Sequence, residues 1–248
     1  MPNSFLDTYS GATRVIFIVG DPIAQVKSPA GVTQALHDRG IDLVVVPAHV
    51  APADLPAFFD TARRMRNVHG VIATVPHKFD ALALCESVTP RARSIGAINV
   101  ARRTAGGAWF GDMCDGEGHV AGIRRAGCEP RGKRALLIGA GGAGSAIGHA
   151  LVDAGVAAIA VHDRDAARCE SLAGRLRIYG PASVAIGSDD PTDFDLVVNA
   201  SPLGMRGDDP LPVLAARLSK STFVSDVVTM PAVQPLIAAA RARGCGTM

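Results

Sequence analysis

Residues 135–144, ALLIGAGGAG, constrain what this 248-residue chain can fold into more than any other stretch. The apolar run 135–138 reads as a buried strand entering a tight turn. Gly139, Gly141 and Gly144 then stand at G-x-G-x-x-G spacing before a small-residue helix, SAIGHALVDAG. In such a unit the first glycine permits the turn, the second leaves room for a pyrophosphate, and the third lets helix and strand pack closely. The helix start offers free N–H groups and the positive end of its dipole to phosphate. A turn with no ligand would carry the same glycines, so the register of the downstream residues matters. A second apolar run, 156–162, ends at Asp163, about 20 residues past the last motif glycine, where a dinucleotide site places an acid. Strand, turn, helix, strand and acid in this order predict a Rossmann-type, doubly wound parallel sheet that binds a dinucleotide.

Upstream, residues 14–20 (RVIFIVG) predict a buried strand. Ser28 as N-cap, with Pro29 at the first helical position, opens a helix that Gly40 stops. A strand over 43–50, a proline-started helix carrying Leu55, Phe58, Phe59 and Ala62, and a strand over 70–75 complete βαβαβ, which favours a parallel sheet. Further on, KFDALALC reads as a helix, Thr89 and Pro90 start a short one, and AINVARR with AWFGDM reads as a β-hairpin turned at 105–107. A helix over 116–125 leads into the glycine motif. After Asp163 the pattern gives a helix over 164–177, a strand near Val184, and the strands FDLVVNA and STFVSDVV. The fold class is therefore α/β, with an N-terminal α/β domain over 1–115 and a Rossmann-type dinucleotide-binding domain over 116–228. In the C-terminal segment over 229–248, a helix is expected to return to the first domain.

Composition narrows the partners. A hydrophobic share of 48% is ample for a buried core, and a net charge of +2 with scattered basic residues leaves no footprint for nucleic acid. Acidic small molecules remain suitable. MPNSFLDTYSG lacks the basic-then-apolar pattern of a leader, and no apolar run approaches the length of a membrane span, so neither export nor membrane anchoring is expected. Five cysteines, Cys85, Cys114, Cys128, Cys169 and Cys245, show neither CxxC spacing nor an even count. A disulfide framework and a zinc site are therefore not expected, and a reducing cytoplasm fits. His69, His77 and His162 have no mutual spacing that suggests a metal site.

Open α/β sheets bind ligands at the carboxyl ends of their strands, which directs attention to the loops DPIAQVKSP, TVPHK and GDMCDG. GDPIAQVKSP, GVIATVPHK, IGAINV, GDMCDGEG, LLIGAGGAG and VVNASPLGM succeed one another in the order and at the spacing of the motifs of shikimate dehydrogenases, and the chain resembles that family over nearly its whole length. The resemblance implies a substrate-binding N-terminal domain, a nicotinamide dinucleotide (NAD or NADP) on the Rossmann domain, and a place in aromatic amino acid biosynthesis. The implied reaction is the reversible reduction of 3-dehydroshikimate or a related cyclic keto acid to the alcohol. By motif, Lys78 in TVPHK and Asp115 in GDMCDG match the catalytic pair. An ammonium beside a ketone that accepts hydride can stabilise the developing alkoxide and supply its proton, and a carboxylate can hold that lysine. Alone, Lys78 would be a solvated lysine at a helix start and Asp115 a turn or cap residue.

The resemblance also implies that Ser28, Thr74 and Asn99 contact substrate; a helix cap, a strand threonine and a turn asparagine are their ordinary alternatives. Gly139, Gly141, Gly142, Ala143, Gly144, Asp163, Arg164, Asn199 and Ser201 fall at cofactor-binding positions. Several residues depart from the family pattern. Val26 replaces the first serine of Ser-x-Ser-Pro, Ile72 an asparagine, Met113 and Cys114 an Asn-Thr pair, and Thr229 a tyrosine. Each change removes or shortens a hydrogen-bonding group, so a quinate-type, aminated or less hydroxylated substrate is an alternative, as is a nucleotide-binding module without turnover. The family also continues past CGTM into a substrate-contacting helix, whose absence would expose apolar surface that a homodimer could bury. Asp163 accepts from a ribose 2′-OH and repels a 2′-phosphate, whereas Arg164 attracts one; with Asp165 adding a second carboxylate, the balance leans to NAD.

Overall fold

The structure, a computed structural model, describes residues 9–248; most of the N-terminal stretch MPNSFLDTYSG lies outside them. The chain separates into two compact units, Met1–Met113 and Cys114–Met248.

Among the described residues, the first unit is built on a six-stranded sheet ordered β2-β1-β3-β5-β6-β4. β1 (Arg14–Gly20) lies parallel between β2 (Leu43–His49) and β3 (Val68–Ala73). β5 (Val100–Arg103) and β6 (Trp109–Asp112) form the expected antiparallel hairpin, and β5 also runs antiparallel to β3. α2 (Leu55–Arg64) buries Leu55, Phe59 and Ala62, whose spacing puts them on one helical face. Phe59 meets Trp109 edge-on at 5.9 Å, and Trp109 Nε1 donates to the Phe59 carbonyl at 3.3 Å. Burying each of these rings is worth about 2–3 kcal/mol.

Two local expectations fail here. α1 (Ser28–His37) begins with Ser28 inside the helix; Lys27 is the N-cap residue and no side chain caps the helix. Pro29 satisfies the first turn by needing no N–H acceptor, so a serine cap is dispensable. The helix expected from KFDALALC is a single turn, α3 (Asp80–Ala83). Beyond it, the Glu86 amide donates to the Trp109 carbonyl at 3.1 Å while its carboxylate accepts from the Trp109 amide at 2.6 Å. Pairing with the hairpin thus draws the chain into β4 (Ser87–Val88). The short helix α4 (Pro90–Ile95) does start as expected, with the Thr89 hydroxyl accepting from the Ala92 amide at 3.1 Å.

α5 (Asp115–Arg125) opens the second unit, whose six-stranded sheet, ordered β12-β11-β10-β7-β8-β9, is parallel throughout. Its strands are β7 (Arg134–Ile138), β8 (Ala158–His162), β9 (Ser183–Ile186), β10 (Leu196–Asn199), β11 (Phe223–Asp226) and β12 (Gly246–Thr247). Numbered within the unit this is the 3-2-1-4-5-6 order of a doubly wound sheet, which reverses direction between β7 and β10. Alternate residues of β7 enter opposite cores. Ala135 and Leu137 pack with Ile147 and Leu151 of α6 (Gly142–Asp153) and with Leu172 and Leu176 of α7 (Ala166–Tyr179). Leu136 and Ile138 pack with Val197, Val224, Leu236 and Ile237. The last two belong to α8 (Pro235–Ala242), the helix expected to return to the first domain. It covers the second unit's own sheet, and Cys245 beyond it joins the same core. Leu236, Ile237 and Ala240 give it an apolar face that fits there, and the following β12 pairs with β11.

Candidate active site

In the first unit, the carboxyl ends of β1 and β3 gather three of the five residues matched to substrate and catalysis. Thr74 follows β3 directly, and its amide donates to the Val19 carbonyl at 2.9 Å. The His77 amide donates back to the Thr74 carbonyl at 2.8 Å, closing the turn that presents Lys78. His77 itself is fully buried, and its Nε2 lies 2.8 Å from the Val50 carbonyl, which fixes the turn to the end of β2. Lys78 is half-buried, and its carbonyl accepts from the Ile98 amide at 2.9 Å. One residue on, the Asn99 carbonyl accepts from Ala73 at 2.8 Å and the Asn99 amide donates to Asp112 at 3.0 Å. Thr74, Lys78 and Asn99 therefore sit on adjoining backbone segments.

Ser28 is exposed at the start of α1, with its hydroxyl not used as a cap. Beside it runs a groove of about 460 Å³ lined by Ile23, Ala24, Val26, Lys27, Pro29, Ala30 and Pro47. Its walls are apolar except for Lys27. Asp112, at the end of β6, accepts from the Thr89 hydroxyl at 2.6 Å and from both Nε and Nη2 of Arg91 at 3.2 and 2.7 Å. Burial pushes its carboxyl up, but these hydrogen bonds outweigh it and hold the group below the usual carboxylate range.

In the second unit, Asp115 is the first residue of α5 and half-buried; Cys114 precedes it as the N-cap residue. One turn on, His119 Nε2 lies 3.0 Å from the Ser225 hydroxyl. Burial lowers the His119 pKa to about 4, against an opposing pull from the Asp115 charge.

The glycine turn has the shape that a pyrophosphate needs. Gly139 has φ +102°, and a Cβ there would come within 2.8 Å of the Ala200 and Ser201 backbone. A Cβ on Gly144 would overlap the Gly139 carbonyl, whereas one on Gly141 would meet nothing within 4 Å. Gly139 and Gly144 thus close the packing, and Gly141 leaves the approach to the start of α6 open, with Gly142 and Ala143 in its first turn. Asp163, just past β8, accepts from the Ala140 amide at 2.6 Å and from the Asp165 amide at 2.9 Å. Asp165 caps α7, accepting from the Ala167 and Arg168 amides, and Arg164 between the two acids is exposed. Asn199 and Ser201 lie across the sheet reversal, with the Ser201 hydroxyl donating to Asn199 Oδ1 at 2.7 Å.

Two residues here carry structure that no motif announces. His77 reads in sequence as an ordinary histidine, and only its complete burial marks it. Asp226, at the end of β11, accepts from Asn199 at 3.0 Å; an acid ending an apolar strand was the available signal. Among the described residues no group of three or more His, Cys, Asp or Glu could hold a metal ion, and no helix is long and apolar enough to cross a membrane.

Comparison with known proteins agrees with this geometry. Residues 18–101 match the shikimate dehydrogenase substrate binding domain. A shikimate dehydrogenase (NADP(+)) of Acidiphilium cryptum is 38% identical over 238 residues, covering 95% of this chain and 84% of the relative. Quinate dehydrogenase from Corynebacterium glutamicum in complex with NAD superposes with TM-score 0.84 at 29% identity, covering 95% of this chain and 87% of that one. The ligand-free 5-ketofructose reductase of a Gluconobacter strain does so with TM-score 0.82 at 29% identity, covering 95% and 86%. With a glycine turn, a doubly wound sheet and a relative this similar over most of both lengths, the chain belongs to the shikimate dehydrogenase family.

Proposed function

We propose that this chain catalyses the reversible, nicotinamide-dinucleotide-dependent reduction of the ring ketone in a small cyclic acid of the 3-dehydroshikimate type. The observation that carries this reading is the convergence of Thr74, Lys78 and Asn99 at one end of the first sheet. A bound nicotinamide supplies or removes hydride, which the side chains here cannot do. The half-buried Lys78 ammonium would stabilise negative charge on the substrate oxygen and give it a proton, taking the proton back in oxidation. The Thr74 hydroxyl and the Asn99 amide would hold ring hydroxyls, and Ser28 has a hydroxyl not spent on capping. Asp115 is assigned the partner carboxylate on its motif match. For the cofactor, the turn at Gly139, Gly141 and Gly144 with the start of α6 suits the pyrophosphate, and Asn199 and Ser201 suit the nicotinamide side.

NAD is the proposed cofactor. Asp163 places a carboxylate at the end of β8, and Asp165 a second one beside the exposed Arg164, so a 2′-phosphate meets two negative charges and one positive. The Acidiphilium relative is named for NADP(+) and the Corynebacterium enzyme was solved with NAD, so the choice turns on these residues. The reading extends to a cytoplasmic protein, which five cysteines outside any disulfide suit, and to a homodimer, checked by light scattering.

One observation favours a second reading. Val26 and the apolar groove at the start of α1 give a substrate carboxylate fewer hydroxyl partners, which suits a ketone that carries no carboxylate, as the likeness to a 5-ketofructose reductase also allows. The test is a grid of NAD or NADP against shikimate, quinate, amino-substituted analogues and a ketose, read as formation or loss of reduced nicotinamide. Turnover with NAD on shikimate or quinate supports the first reading. Turnover on the ketose alone supports the second, and binding without turnover on any member would leave a nucleotide-binding module.

A further inference from the structure

Asp226 is a half-buried acid to which the proposed reaction gives no task. It ends β11 directly opposite Asn199, which ends β10, in the parallel register of the two strands. Its Oδ1 accepts from Asn199 Nδ2 at 3.0 Å and from the Val228 amide at 2.9 Å, while Oδ2 is buried with no hydrogen-bond partner among the described residues. Asn199 is itself fully buried and uses its whole carboxamide. Nδ2 also donates to the Leu203 carbonyl at 3.1 Å, and Oδ1 accepts from both the amide and the hydroxyl of Ser201 at 3.1 and 2.7 Å. The Ser201 hydroxyl then accepts from the Leu203 amide at 3.2 Å. One carboxyl group therefore ties the loop 199–203 to β11.

That loop backs the glycine turn. The Ala200 amide donates to the Ile138 carbonyl at 2.7 Å, and Gly139 has no room for a side chain against Ala200 and Ser201. In a doubly wound sheet the dinucleotide crosses at the reversal, here between β7 and β10. Asp163 marks the adenosine side at β8, so the ends of β10 and β11 fall on the nicotinamide side. We infer that Asp226 is a positioning residue for the dinucleotide: through Asn199 it fixes the 199–203 loop against the glycine turn and so presets the surface on which the nicotinamide half lies. The inference rests on the chain's being a dinucleotide-dependent enzyme. An ionised carboxylate would leave its second oxygen buried and unpaired, which is costly, whereas a neutral acid is not penalised in the same way. Burial raises this carboxyl to about 6, in keeping with that arrangement.

The test uses the full chain with Asp226→Asn, Asp226→Ala and Ser201→Ala, each titrated with NADH by nicotinamide fluorescence and melted without ligand. Asn keeps the accepting oxygen and places a neutral NH₂ where Oδ2 lies, so its dissociation constant stays within about threefold of the wild type. Asp226→Ala removes the acceptor that Asn199 needs and weakens binding about tenfold, with the KM for dinucleotide rising more than that for the second substrate. Ser201→Ala cuts the same lacing from the loop end and weakens binding in the same direction, which carries the test if Asp226→Ala does not fold. A lowered melting temperature with unchanged dinucleotide affinity in the Ala variants, or equal loss in Asp226→Asn and Asp226→Ala, overturns the inference alone. Absence of binding by the wild-type chain overturns it together with the cofactor reading.

Discussion

The Ala140 amide donates to Asp163 Oδ2 at 2.6 Å, so the acid at the end of β8 clasps the glycine turn at the end of β7. The Asp163 oxygens hold the turn, and on the proposed reading its charge would also face the ribose of a bound dinucleotide. The two effects separate by substitution. Asp163→Asn loses the charge and one of the two amide contacts, a loss that both dinucleotides share, so the ratio of kcat/KM for NAD over NADP isolates the charge and shifts toward NADP by about tenfold, equivalent to about 1.4 kcal/mol. Asp163→Ala also frees the turn and weakens both dinucleotides. Steady-state kinetics with each dinucleotide reads both outcomes, and an unchanged ratio in Asp163→Asn would remove the charge argument for NAD.

Lys78 is the residue on which turnover should depend most. Replacing it by Met keeps the aliphatic stem and removes the ammonium, and kcat should fall by ~10²–10⁴-fold, the range for losing a general acid–base group. Dinucleotide affinity should be unchanged, because the glycine turn belongs to the other unit. A kcat within a few fold of wild type would move the proton-transfer role elsewhere.

Features set by neighbours in sequence were legible without coordinates. The strand Arg14–Gly20, the Thr89 cap of α4, the hairpin of β5 and β6 and the glycine turn all follow from rules spanning a few residues. Ser28 and α3 failed for other reasons. A proline at the helix start made a serine cap unnecessary, and pairing of Glu86 with the distant Trp109 ended α3 early. α8 packs on the second unit's sheet through Leu236, Ile237 and Ala240, an apolar face whose spacing is visible in the sequence. Motif order proposed Lys78, Thr74 and Asn99 as candidates, and the fold puts them on adjoining backbone segments. Asp226 was not legible, because its meaning depends on lying opposite Asn199, which is 27 residues earlier and brought there only by strand register.

His77 should matter to stability more than a loop histidine does. It is fully buried, and its contact with the Val50 carbonyl joins the Lys78 turn to the end of β2. His77→Ala removes that hydrogen bond and leaves a cavity, costing about 2–4 kcal/mol. Urea unfolding of the variant measures this directly. The Lys78 turn loosens with it, so kcat should fall as well, and an unchanged unfolding midpoint would show that the tether contributes nothing.

His119 and Asp226, on neighbouring elements, should give opposite pH dependences of stability. Burial lowers His119 from its ordinary 6.5 to about 4, so between these values the unfolded chain holds a proton that the native chain does not, and stability falls as pH drops. Burial raises Asp226 from 3.8 to about 6, so in that window the native chain holds the extra proton; its contribution is complete below 3.8 and is lost as pH rises through 6. Each slope is at most about 1.4 kcal/mol per pH unit, and the two largely cancel where the windows overlap. Removing one group should expose the other. His119→Gln should gain stability relative to wild type as pH falls from 6.5 to 4, and Asp226→Asn should gain relative to wild type as pH rises from 3.8 to 6. Unfolding curves across that range decide the matter: differences from wild type that do not vary with pH would mean that neither group titrates in the folded chain as its burial requires.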